Sequence, residues 1–105
     1  MYPVVYTSRV MEIRRTDEFD KWLKKLRDDQ ARFRILVRIT RLSFGNPGDV
    51  KPVGDGVSEM RIPCGPGYRL YYTQCGDQII VLLIGGDKSS QDRDIAKAKE
   101  LAAGL

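Results

Sequence analysis

The chain has 105 residues, with 18 lysines and arginines against 14 acidic residues and no histidine; its formal net charge is +4 and its isoelectric point is near 9.2. That length suits one domain, able to bury about 65% of its unfolded surface and to form a core without metal or disulfide staples. The missing imidazole excludes Ser-His-Asp and Cys-His catalysis and His-ligated zinc, so acid–base chemistry falls to Lys, Arg, Tyr, Asp, Glu or Cys.

Residues 4–14 alternate loosely and read as a strand. Thr16 or Asp17 then caps a short helix. In it Phe19, Trp22, Leu23 and Leu26 fall at i, i+3, i+4 and i+7, while Lys21, Lys24, Lys25 and Arg27 take the other face. Asp28 or Asp29 caps a second helix, and the short break makes the two a helical hairpin. Ala31, Ile35, Ile39 and Leu42 are its apolar stripe; Arg34, Arg38 and Arg41 lie on another face. Gly45-Asn46-Pro47-Gly48 stops it, and residues 49–56, with Pro52, Gly54 and Gly56, read as a loop.

Three strand signals follow. Residues 58–62 alternate, with Met60 and Ile62 on one side and Glu59 and Arg61 on the other. Residues 63–67 form a turn, and the aromatic-rich residues 68–73 alternate again. Gly76-Asp77 marks a second tight turn, before an unbroken apolar strand at 79–84 buried on both faces. Residues 85–90 read as a loop in which Ser89, with Asp92 three residues on, resembles a cap. Ile95, Ala98, Leu101 and Ala102 mark a C-terminal helix. The order is strand, helix, helix, three strands, helix. It predicts one two-layer α+β domain, with an antiparallel sheet of the N-terminal strand plus a three-strand meander, packed by the helical hairpin and the last helix.

The N-terminus lacks the basic and apolar regions of a signal peptide, and the longest apolar run, 79–84, is too short to span a bilayer. Cys64 and Cys75 form no C-x-x-C and read as ordinary reduced thiols. The expected setting is cytoplasmic.

Charge stands against expectation in the sheet segment. A turn centred on Gly65 puts Arg61 opposite Arg69, Met60 opposite Leu70 and Glu59 opposite Tyr71. Like charges facing across a strand pair are destabilising by roughly 0.2–1 kcal/mol. Such a pair implies either a solvated face with Glu59 as partial counter-charge, or an anion site. Arginine suits phosphate because its planar fork donates two parallel hydrogen bonds and stays charged. Lys51, in the loop before the hairpin, and Lys88, after the buried strand, can approach the same face. Tyr71 shares that face and is a candidate to stack on a base. Arg34 and Arg38 are candidates for polyanion binding, beside the simpler reading of a solvated helix face. Gly86-Asp87-Lys88-Ser89 lacks the glycine spacing of a phosphate-binding loop, and Asp92 and Asp94 suit capping better than catalysis.

Three blocks, 48–54, 56–62 and 65–72, resemble the RelE/ParE toxin superfamily, nearest to its HigB-like branch of phage-derived Gp49-like addiction module killer proteins. Residues 85–91, followed by Asp94, Ile95 and Ala98, resemble that branch's C-terminal signature, and the Trp22-Leu23 helix and arginine-rich second helix fit as well. The resemblance spans nearly the whole chain. It implies a RelE-like fold and the toxin of a type II toxin–antitoxin system: a metal-independent endoribonuclease, needing no cofactor, that enters the ribosome and cleaves mRNA. It also implies a helix-turn-helix antitoxin as partner, with oligomers formed only through that antitoxin. Arg61 and Arg69 match strand arginines at the scissile phosphate, Lys88 falls near a basic position after the last strand, and Lys51 matches a loop lysine. On this reading Arg61, Arg69 and Lys88 are catalytic, while Lys51, Tyr71, Arg34 and Arg38 bind RNA. Lysine serving as base needs a depressed pKa, which clustered positive charge provides. Two alternatives share the fold: a gyrase-inhibiting toxin, and a non-catalytic module that only binds the antitoxin.

Overall fold

The computed structural model describes residues 10–105. The elements run β1 (Glu12–Arg15), α1 (Asp17–Lys25), α2 (Asp29–Ser43), β2 (Val50–Gly54), β3 (Val57–Ile62), β4 (Tyr68–Cys75), β5 (Ile79–Gly86), a 3-10 turn (Lys88–Ser90) and α3 (Gln91–Ala103). The strands form one sheet in the order β1-β5-β4-β3-β2. The fold is α+β, as expected. Most of the expected N-terminal strand lies outside the described residues. What is seen of it pairs with β5 in parallel, so the sheet is mixed.

Residues 49–56, expected as a loop, hold an additional strand. Pro52 is tolerated because β2 is the sheet edge, where a missing N–H breaks no inner ladder. Asp55 and Gly56 both take positive φ (56° and 75°), as a tight β2–β3 hairpin requires.

Thr16 links β1 to α1. Its hydroxyl donates to the Leu83 carbonyl at 2.5 Å and accepts from the Phe19 N–H at 3.0 Å, the expected cap. Asp28 caps α2 by accepting from the Ala31 N–H at 3.1 Å. Arg32 then reaches back to the Leu26 carbonyl at 2.6 Å, satisfying the end of α1.

Strand alternation divides the core between the two sheet faces. On one face Met60, Leu70 and Leu82 pack under Phe19 and Leu23 of α1 and Ile35 and Ile39 of α2. Trp22 lies flat against Gly85, where any Cβ would collide with the indole. On the other face Val57, Tyr71, Val81 and Leu83 pack under Ala98 of α3. An irregularity puts Tyr71 opposite Ile84 and Tyr72 opposite Leu82, so Leu83 is the extra residue of a β-bulge. No helix among the described residues is long and apolar enough to cross a membrane.

Candidate functional site

The register of β3 and β4 is the expected one: Arg61 pairs with Arg69, Met60 with Leu70, and Glu59 with Tyr71. β2 adds Lys51 opposite Glu59, and β5 adds Gly86 opposite Arg69. Period-2 alternation therefore lays Lys51, Glu59, Arg61, Arg69 and Tyr71 on one face of three neighbouring strands, next to the start of α3.

Glu59 is the centre. It is 0% exposed. Its Oε1 lies 3.8 Å from Lys51 Nζ and 3.9 Å from Arg61 Nε, and its Oε2 lies 3.8 Å from Arg69 Nε. Oε2 also accepts from the Tyr71 hydroxyl at 3.0 Å and from Gln91 Nε2 at 2.9 Å. A buried carboxylate needs such partners, because unpaired desolvation is severely unfavourable. The cations approach at ion-pair rather than hydrogen-bond distance. Accordingly Glu59 Oε1, Arg61 Nε and Arg69 Nε have no hydrogen-bond partner among the described residues. One negative charge thus faces three positive ones, and the cluster keeps an excess of positive charge.

Exposure differs around the ring. The side chains of Lys51 and Arg61 are half exposed, and that of Arg69 is 11% exposed. Arg69 Nη1 donates to the Gly67 carbonyl at 3.0 Å, which fixes the guanidinium along the β3–β4 turn. Lys88 belongs to the same neighbourhood: a Cβ at Gly67 would stand 3.5 Å from Arg69 Nη1 and 3.7 Å from Lys88 Cβ. Lys88 begins the 3-10 turn capped by Asp87, whose Oδ1 accepts from the Ser89 N–H at 2.8 Å and the Ser89 hydroxyl at 2.5 Å. The Ser89 hydroxyl bond, followed by the backbone bond, holds the Asp87 carboxyl below its usual range. Ser89 therefore supports the turn rather than capping α3. Ser90 is the residue at the α3 N-cap, and it donates to Asp94 Oδ2 at 2.5 Å. Asp94 is itself buried and lies against Gly86, where a Cβ would collide with its carboxylate.

One expected RNA contact, Tyr71, is corrected. Tyr71 is 0% exposed and sits beneath α3, so its ring offers no surface to a base. Burial, reinforced by the hydrogen bond to Glu59, pushes its hydroxyl well above the ordinary tyrosine range and keeps it a donor. Arg38 is a structural tie: Nη1 donates to the Arg61 carbonyl at 2.7 Å and Nη2 to the Pro47 carbonyl at 3.1 Å. Arg34 is exposed on α2 and lines a groove with Arg38, Arg41, Ile62 and Pro63, apart from the cation cluster. The structure thus gathers Lys51, Arg61 and Arg69, with Lys88 beside them, and leaves Arg34 and Arg38 elsewhere. Glu59, expected only as partial counter-charge, holds the cluster together. Gln91 also serves it, through its bond to Glu59; in the sequence Gln91 stood only within the C-terminal signature, with no role of its own.

No family model matches the chain. It is 50% identical over 95 residues to an uncharacterized protein of Haemophilus influenzae, an alignment that covers 90% of this chain and 96% of that protein.

Proposed function

The chain belongs to the family of that Haemophilus influenzae protein, and we propose that it is the toxin of a type II toxin–antitoxin system, a metal-independent endoribonuclease that cleaves mRNA in the ribosome. One observation carries the reading. Three strands bring Lys51, Arg61 and Arg69 around a single buried carboxylate, leaving surplus positive charge at a partly open face. The sequence blocks that resemble HigB-like toxins contain these same residues.

The chemistry fits the residues available. Attack of an RNA 2′-oxygen on the adjacent phosphorus forms a 2′,3′-cyclic phosphate and expels the 5′-oxygen. The 2′-OH proton must leave, and the 5′-oxygen must gain one. Charge accumulates on the non-bridging oxygens, where preorganised guanidinium groups stabilise it most. Arg61 and Arg69 hold that position, and Glu59 orients them without itself reaching solvent. Lys51 and Lys88 are the exposed members and supply the groups able to clamp phosphate or exchange a proton. The ribosome, by positioning the mRNA, reduces what the side chains must supply. A helix-turn-helix antitoxin keeps the toxin silent in the cytoplasm.

Induction of the wild type and of Arg61→Gln, followed by primer extension on mRNA, tests this. Cuts within translated mRNA are expected for the wild type and at least tenfold fewer for the variant at equal folded protein. Intact mRNA together with lost gyrase supercoiling would transfer the protein to the gyrase-inhibiting reading.

A further inference from the structure

The second helix carries two apolar stripes, and the sheet covers one. Ala31, Ile35, Ile39 and Leu42 are buried against it. Phe33, Leu36, Val37 and Thr40 recur at i, i+3, i+4 and i+7, which at about 100° per residue places them together on the opposite side, and Phe44 follows at the helix C-cap. Phe33 is 68% exposed, Leu36 41% and Phe44 62%. A helix that is apolar on opposite sides is built to be buried on both.

The flanks decide what covers it. Along Asp29–Ser43 four arginines stand against one aspartate. Arg34 and Arg41 rim the stripe where it opens into the groove floored by Val37, Ile62 and Pro63. Arg15 rims it on the β1 side, next to Leu36 and Thr40. A second copy of the chain meeting this face would set arginine against arginine, and an RNA would meet an apolar floor. A protein segment with apolar residues at helical spacing and carboxylates beside them matches both the stripe and the rim.

We propose that the outer face of α2 is the docking surface for an acidic amphipathic helix of a partner protein. The inference rests on the partner half of the proposed function and is independent of the cleavage half. The cation cluster projects from the other face of the sheet, so a helix seated on α2 does not stand on Arg61 or Arg69.

The test uses the full chain and a fluorescein-labelled 18-residue helical peptide, with leucines at i, i+3, i+4 and i+7 flanked by glutamates. A second peptide carries lysines in place of the glutamates. Fluorescence anisotropy should show the glutamate peptide binding at least tenfold more tightly than the lysine peptide. Phe33→Asp and Arg34→Glu should each weaken it tenfold or more, and Lys51→Gln less than twofold. Phe33 is exposed, so its variant retains the wild-type circular dichroism, and it still cleaves mRNA at the wild-type rate. Several results would overturn the proposal: equal affinity for the two peptides, no binding at millimolar peptide, or weakening by Lys51→Gln but not by Phe33→Asp. A wild-type dimer in sedimentation equilibrium that Phe33→Asp turns into a monomer would also overturn it, by making a second copy the occupant.

Discussion

Replacing Glu59 by Gln removes the negative charge while keeping shape and one carbonyl oxygen. Three cations would then surround a neutral amide. The pairs with Lys51 and Arg61 involve half-exposed side chains at 3.8 and 3.9 Å and contribute under about 1 kcal/mol each after solvent screening. Arg69 is different, being 11% exposed. Leaving such a charge without its partner costs roughly 3–5 kcal/mol when burial is complete, and less here because some solvent reaches it. The amide oxygen still accepts from Tyr71, which preserves part of the hydrogen bonding. The expected loss is therefore about 2–4 kcal/mol, read from urea unfolding at constant m-value. Arg69→Met should relieve part of the damage, so the double variant should be more stable than the two single losses added together predict, by about 1 kcal/mol or more. A Glu59→Gln protein within about 0.5 kcal/mol of wild type would refute the claim that this carboxylate organises the cations.

Other consequences are equally direct. Gly86→Ala forces a Cβ into the Asp94 carboxylate and Ser90 Oγ, so thermal unfolding should register a loss of about 1–3 kcal/mol. Arg38→Ala removes two charge-assisted bonds to backbone carbonyls and should destabilise by about 2–4 kcal/mol, while RNA affinity of the folded fraction, measured by filter binding, stays unchanged. The Asp87 carboxyl is held low by Ser89, so its contribution to stability is present above the ordinary carboxylate value and disappears as pH falls through the depressed one. Ser89→Ala should move the Asp87 carbon-13 titration upward toward the ordinary value, and no movement would show that the hydroxyl bond is not the cause. Tyr71 should remain un-ionised to the alkaline end of a tyrosinate absorbance titration for as long as the fold persists, its neutral form being the one the fold favours.

The strand pair at the heart of the site was legible because one glycine-centred turn and period-2 alternation are enough to align Arg61 with Arg69. The helix caps at Thr16 and Asp28 were legible for a similar local reason. β2 was hidden by Pro52 and Gly54, whose loop character outweighed the Asp55-Gly56 hairpin signal immediately after them. The fate of Tyr71 depended on where α3 packs, a long-range arrangement that neither alternation nor composition encodes. The same holds for Gln91, which reaches Glu59 across 32 positions of chain. On α2 two stripes share the helical period, Ala31, Ile35, Ile39 and Leu42 on one side and Phe33, Leu36, Val37 and Thr40 on the other, and periodicity alone does not say which of them the sheet covers.

The most direct measurement is single-turnover cleavage of 5′-labelled mRNA on purified ribosomes holding a defined codon in the A site. The wild type and Arg61→Gln are compared at saturating protein, with EDTA present in matched controls that keep the ribosome intact with polyamine. The account predicts cleavage that yields a 2′,3′-cyclic phosphate and falls at least a hundredfold for Arg61→Gln, about 2.7 kcal/mol of transition-state stabilisation. Uncut mRNA with excess wild-type protein, or equal rates for the two proteins, would contradict it.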